Sequence, residues 1–336
     1  MKKKINFICY GVIFPALLSF IVYFGFTSKY ALAHAGLDRL PELYYHGVYN
    51  YRFLSRDILD GIYVWVNPYM ESLRDYRLFS AMNTLGTNFY FLTILYNTVF
   101  YVLACMILYK LFFCGKSEHK NKKYTELLYL FFIMSIALSQ YVTTPFDDTS
   151  IFLFFLSVYL IFKLKKRFSI LNSILLTCIV VISTCNRESS ALTLSFYAAL
   201  ILDDSISKIF EKETFLKLIK HLSLPVVGFL VAYVGIRLFI QMDNIKIIEG
   251  NYFLHNITEF KNIFGVLFYL ILTYFSLSMT ETAQQKRNLI NYLIFSIPYI
   301  FVIIYAGLLW EIRLYIPLLM GQFILANPEI FIRHEK

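Results

Sequence analysis

The stretch 5–26 contains no charge, and the stretch 88–113 contains one, Lys110. Each is long enough to cross a bilayer, whose hydrocarbon core of roughly 30 Å takes about 20 apolar residues in a helix. Eight further apolar segments approach that length, at 125–142, 150–164, 168–185, 190–202, 222–240, 262–279, 289–309 and 314–326. Lipid offers no partner to a backbone N–H or C=O, so such segments must be helical. With 58% of the 336 residues hydrophobic and 16% charged, a water-soluble fold could not cover its own apolar surface. The expectation is an all-α polytopic membrane protein with about ten transmembrane helices, several of them short. It forms a single integral membrane domain over 1–336, with a long first extracytoplasmic loop at 27–87 that carries an interfacial helix.

Charge sets the orientation. With "MKKK" on the cytoplasmic side, the N-terminus, 110–124, 163–167, 203–221, 280–288 and the C-terminus hold 20 of the 31 Lys and Arg residues. That is the positive-inside pattern, and it places both termini in the cytoplasm, at a bacterial inner or plasma membrane. The same bias accounts for the net charge of +9, so nucleic acid is not an expected partner. The first apolar stretch is longer than a signal-peptide core and lacks a small-residue cleavage site, so it reads as a retained helix. Cys9, Cys105, Cys114, Cys178 and Cys185 show no metal-ligand spacing and read as small packing residues.

The triplet Asn186–Arg187–Glu188 interrupts an apolar run from Phe168 to Leu202. A single helix across that run would send the Lys-rich "SKIFEKETFLKLIKH" and "QQKRN" to the outer face, against the charge bias. Two short helices joined by an outward tip are expected instead. The tip then joins three other polar loops on the outer side: 27–87, "TTPFDDTS" and "WEIRLYIP". Short flanking helices set these tips slightly below the surface, around a cavity that opens outward. No ionisable group falls near the centre of a span, Arg237 being nearest, and this counts against an ion-driven transporter.

Each loop supplies candidates. In "YNYRFLSRDIL", Arg52, Arg56 and Asp60 fall at i, i+4 and i+8 on one face of an amphipathic helix. A guanidinium can grip phosphate with two parallel hydrogen bonds. The plainer alternative is headgroup contact with an Arg56–Asp60 pair. Asp38, Glu42 and Asp57 are acids in the same loop, any of which could serve as general base toward a sugar hydroxyl. Asp147 and Asp148 either cap the helix that follows or contact an acceptor hydroxyl or divalent metal ion; no other cofactor is expected. Arg187 with Glu188 and Glu311 with Arg313 repeat one Arg/Glu pattern on two tips. The histidines lack ligand spacing, and "NIT" at 256–258 matches a glycosylation sequon that arises often by chance.

The cytoplasmic N-terminus, the long first outer loop with its interfacial helix and acids, and the polar-tipped short hairpins resemble the GT-C class of membrane glycosyltransferases. The likeness is architectural and spans most of the chain. It implies transfer of a sugar from a polyprenyl-phosphate donor to a glycan or lipid-linked acceptor on the extracytoplasmic face. An acid of the first loop, Asp38 or Asp57, would be the base, with Glu188 a third candidate. Arg52, Arg56, Arg187 and Arg313 would hold the lipid phosphate, and Asp147, Asp148 and Glu311 the acceptor or a metal. The chain departs from the class in that no acid directly follows the first helix and no soluble C-terminal domain is expected. A polymerase of lipid-linked polysaccharide repeats would also need outer-face arginines and a lipid-phosphate leaving group. A non-catalytic lipid or glycan flippase is the third reading.

Overall fold

The computed structural model describes residues 2–26, 29–73, 76, 86–113, 122–202, 204–240 and 251–328. Among these the chain is helical wherever it is regular, with no strand. Much of the basic segment 110–124, and most of 74–85 in the first loop, lie outside the described residues. Two compact units divide the chain: Met1–Phe113 with His119–Phe152, and Leu153–Lys336.

In the first unit, α1 (Lys4–Gly25) is followed by the short α2 (Lys29–Ala35) and by two 3-10 turns, Glu42–Tyr45 and Gly47–Tyr51. Then come α3 (Phe53–Ser72), α4 (Asn88–Phe113), α5 (Lys122–Ser139) and the start of α6 (Phe146–Lys166). Helix α1 packs along α4, and α5 packs against both. Polar contacts stitch these helices together where lipid could not: Ser19 meets Thr98 at 2.6 Å, and the Tyr101 hydroxyl donates to the Ile133 carbonyl at 2.6 Å. Helix α3 sits on α4 through Leu59, beside Leu40, Tyr44, Phe89, Leu92, Tyr96 and Phe146. Its other side exposes Ile58, Val64, Trp65 and Tyr69. An apolar side left open beside a buried one suits a helix lying in the membrane interface.

The second unit contains α7 (Ile170–Asn186), α8 (Ala191–Ile201), α9 (Lys212–Phe239), α10 (Phe253–Thr258), α11 (Phe260–Ser278), α12 (Ala283–Phe295), α13 (Ile297–Ala306) and α14 (Ile316–Ala326). The break expected in 168–202 is present. Arg187 is extended (φ −165, ψ 142), and Glu188–Ser190 makes one 3-10 turn before α8 begins. The two helices take different neighbours: α7 packs along α9, whereas α8 packs against α9, α12 and α14.

Among the described residues, four helices are long and apolar enough to cross a membrane: α1, α4, α9 and α11. A fifth results if α12 and α13, bent by 46° at Ser296, count as one span. Pro298 sits in the first turn of α13, where its missing N–H costs no helical bond. The all-helical expectation holds, while the other apolar runs among the described residues are shorter or less apolar, and an apolar run alone does not reveal what covers it. Every residue of α14 is buried, and so are Leu192, Phe196, Tyr197 and Leu200 of α8. Helices of 11 residues enclosed in this way are core helices, sheltered by protein instead of lipid.

Asn256 and Asn262 fix the connector that leads to Glu311. Asn256 Nδ2 donates to the carbonyls of Ile304 (2.9 Å) and Gly307 (2.7 Å), and its Oδ1 accepts from Leu309 N at 3.3 Å. Asn262 Oδ1 accepts from Trp310 N at 3.1 Å. A buried side chain so engaged is not a glycan acceptor, so the sequon at 256–258 is a chance match. Asn256→Ala removes three hydrogen bonds, one of them buried and two part-buried, and is expected to cost about 2–4 kcal/mol, read as a lowered unfolding midpoint in detergent.

Candidate functional site

The first loop builds its site around Arg56, the fourth residue of α3. Its side chain is only 10% exposed. Nε donates to Asp57 Oδ1 at 2.7 Å, and Nη1 donates to the Tyr44 carbonyl (3.1 Å) and to Asn50 Oδ1 (2.8 Å). The guanidinium also lies 5.1 Å from the centre of the Tyr45 ring. The expected Arg56–Asp60 pair is therefore replaced by Arg56–Asp57, and Asp60 accepts from the Tyr45 hydroxyl at 2.8 Å. Burial raises the Asp60 carboxyl above the ordinary carboxylate range. Arg52 does not share the helical face assumed for it, because it precedes the first turn with φ −95 and ψ 50. It stacks on Tyr49 at 4.8 Å.

Most of the Arg56 fork is thus spent on holding two successive turns to α3. Arg56→Ala is expected to cost about 2–4 kcal/mol by leaving the Tyr44 carbonyl and Asn50 without their donor. Arg56→Lys should recover only part of that loss, since an ammonium cannot reproduce the fork. The check is thermal unfolding of both variants beside wild type.

The acids fare differently. Asp57 is 57% exposed while paired with Arg56. Asp38 is exposed, and among the described residues it accepts no hydrogen bond and joins no ion pair. Its charge is felt at Tyr63 of α3, whose hydroxyl pKa is raised by burial first and by Asp38 second. The chain neighbours of Asp38, Leu37 and Arg39, help line a small, mostly apolar cleft that is partly open to solvent. His34, Arg39, Tyr90, Thr93 and Thr143 line it. Arg39 pairs with Glu42 at 3.0 Å on its exposed side.

Sequence reasoning missed His34. Its Nδ1 lies 3.0 Å from the Thr143 carbonyl. A carbonyl only accepts, so Nδ1 carries the proton and Nε2 of the neutral ring is an acceptor. Burial lowers the His34 pKa below the ordinary histidine value, which favours this neutral form. A lone histidine in a loop gives no spacing signal; only the fold reveals what fixes its ring.

The Asp147–Asp148 pair is also in the first unit, at the start of α6, and both side chains are buried. Thr144 Oγ1 donates to Asp147 Oδ2 at 3.0 Å, and the Tyr23 hydroxyl donates to Asp148 Oδ2 at 3.3 Å. Among the described residues no three of His, Cys, Asp and Glu gather as metal ligands.

Arg187, Glu188, Glu311 and Arg313 belong to the second unit. Glu188 lies 3.5 Å from Arg237 of α9, a charge contact without hydrogen-bond geometry. Arg237 in turn sits 3.6 Å from the centre of the Tyr233 ring. Glu311 accepts two bonds from Arg313, at 3.1 Å from Nε and 3.0 Å from Nη2. Side-chain exposures of 9% and 15% make this a largely enclosed pair. Compared with protein-family models, curated proteins and solved structures, the chain matches none. What is established is an all-helical protein with several apolar helices of membrane-crossing length.

Proposed function

We propose that this protein is an integral membrane glycosyltransferase that moves a sugar from a polyprenyl-phosphate donor to a glycan or lipid-linked acceptor. In this reading the chain crosses the membrane several times with both termini cytoplasmic, and the first loop faces the extracytoplasmic side. The observation that carries the reading is the exposed Asp38 carboxylate, without a partner among the described residues, whose chain neighbours Leu37 and Arg39 line a small cleft with His34.

Asp38 takes the proton from the acceptor hydroxyl as that oxygen attacks the anomeric carbon. The bond from that carbon to the phosphate oxygen breaks, the configuration inverts, and the electron pair leaves with the lipid phosphate. Arg52 and Arg39 stabilise the charge gathering on that phosphate, a contribution that often dominates catalysis. His34 Nε2 accepts from a sugar hydroxyl and orients the ring. Arg56 serves as the frame that holds Asp57 and the preceding turns, so its part is positioning.

The test is conversion of a short-chain polyprenyl-phosphate sugar by the purified protein, followed by release of polyprenyl phosphate in the presence of acceptor glycan. Release that requires acceptor supports the reading; no release with any hexosyl or pentosyl donor counts against it. The pH profile adds a second check. The neutral His34 is the binding form and its pKa is lowered, so substrate affinity should hold below pH 6.5 and fall only as pH drops further. Folding stability linked to His34 has the same sign: present above the unfolded histidine pKa and lost as pH falls through the folded one.

A further inference from the structure

Residues 140–145 join α5 to α6 without helical structure, yet Gln140, Val142, Thr143 and Thr144 are buried. Irregular backbone inside a membrane protein is tolerated where protein surrounds it or where it lines a polar cavity. At its end stand two fully enclosed side chains, Asp148 at 1% exposure and Asn97 of α4 at 0%. Asn97 Nδ2 donates to the Thr144 carbonyl at 3.0 Å and to the Tyr23 hydroxyl at 2.9 Å. The carbonyl can only accept, so the orientation of the Asn97 amide is fixed. The Tyr23 hydroxyl in turn donates to Asp148 Oδ2. Asn97 and Asp148 therefore meet at one hydroxyl. The amide oxygen of Asn97 (Oδ1) and the second carboxylate oxygen of Asp148 (Oδ1) are buried and receive no hydrogen bond from any described residue.

Both orphan atoms are acceptors when Asp148 is ionised, and its carboxylate then carries a charge. Among the described residues no Lys, Arg or His forms an ion pair with Asp148. Water would meet the acceptors but would leave a buried carboxylate uncompensated, which is the costlier half of the problem. We infer that this cluster is a binding site for a monovalent cation, sodium, held between Asp148 Oδ1 and Asn97 Oδ1 beside the unwound backbone at Thr144. The neighbouring carboxylate, Asp147, is engaged by the Thr144 hydroxyl. One free carboxylate oxygen with neutral oxygens matches a single positive charge, whereas a divalent ion favours more carboxylate. Half-wound helix ends with exposed carbonyls are a known way to hold such ions inside membranes. The site stands independently of sugar transfer.

The experiment uses the purified full-length protein in detergent. Binding of radioactive sodium is measured at equilibrium, and the unfolding midpoint is followed in sodium, potassium or choline chloride at constant ionic strength. Saturable binding near one ion per chain is expected, with a midpoint several degrees higher in sodium than in choline. Asp148→Asn keeps the shape and removes the charge. It should weaken sodium binding at least about 10-fold, a loss of the kind expected when the only charged ligand goes, and make the midpoint indifferent to the cation. Wild type that binds no sodium above background overturns the site, whether or not the variant folds. A midpoint that rises only on acidification, in every salt alike, also overturns it and leaves a proton on Asp148.

Discussion

Asp38→Asn is expected to reduce sugar transfer about 10²–10⁴-fold, the usual contribution of a general base. The side chain is exposed and engages no described group, so the change should leave the unfolding midpoint where it was. That combination separates catalysis from scaffolding. Asp57→Asn is the companion measurement: Asp57 is also exposed, but Arg56 already engages it at 2.7 Å. It should cost far less activity than Asp38→Asn. If the two losses came out reversed, Asp57 would be the base and the cleft beside Asp38 would lose its part. Transfer is to be measured at saturating donor, so that an effect on binding is not mistaken for one on chemistry.

Gly265→Val carries the largest expected effect on stability. Helix α11 runs against the connector after α13 so closely that a Cβ on Gly265 would overlap the Leu309 carbonyl and come within 2.9 Å of Trp310 Cα. Those atoms are backbone, and the hydrogen bonds of Asn256 and Asn262 to Leu309 and Trp310 prevent them from yielding. A side chain at a tip can rotate aside; a pinned carbonyl cannot. The loss should exceed about 3 kcal/mol, the upper range for overpacking, against a total stability of roughly 5–15 kcal/mol. The variant is expected to aggregate or to elute poorly from size exclusion in detergent. A Gly265→Val protein with the wild-type midpoint would mean the connector does not run where it is placed.

The long helices were legible because length and lack of charge act alike on any chain in lipid. The break at Arg187 was legible for a related reason: charge is costly in lipid, and the flanking Lys-rich segments limit how many crossings can lie between them. The short apolar runs were not. A sequence of the α14 kind reads the same whether lipid or protein covers it, and here protein does. At the site, the periodic placement of Arg52 and Arg56 presumed one continuous helix, yet Arg52 lies before its first turn. Arg56 looked like a phosphate ligand, but its donors are claimed by Tyr44, Asn50 and Asp57, partners that no spacing rule would pair with it. His34 left no trace in the sequence, because its tautomer is set by a carbonyl 109 positions away. Asp148 resembled a helix cap, and only the fold carries it against Tyr23 and Asn97.

The most direct measurement is mass spectrometry of lipid-linked and surface glycans from cells with and without this gene. Sugar transfer from a polyprenyl-phosphate donor predicts the loss of one sugar or branch from the surface glycan, restored by the wild-type gene and not by Asp38→Asn. Accumulation of single lipid-linked repeats would instead mark a polymerase, and an unchanged glycan profile would contradict both enzymatic readings.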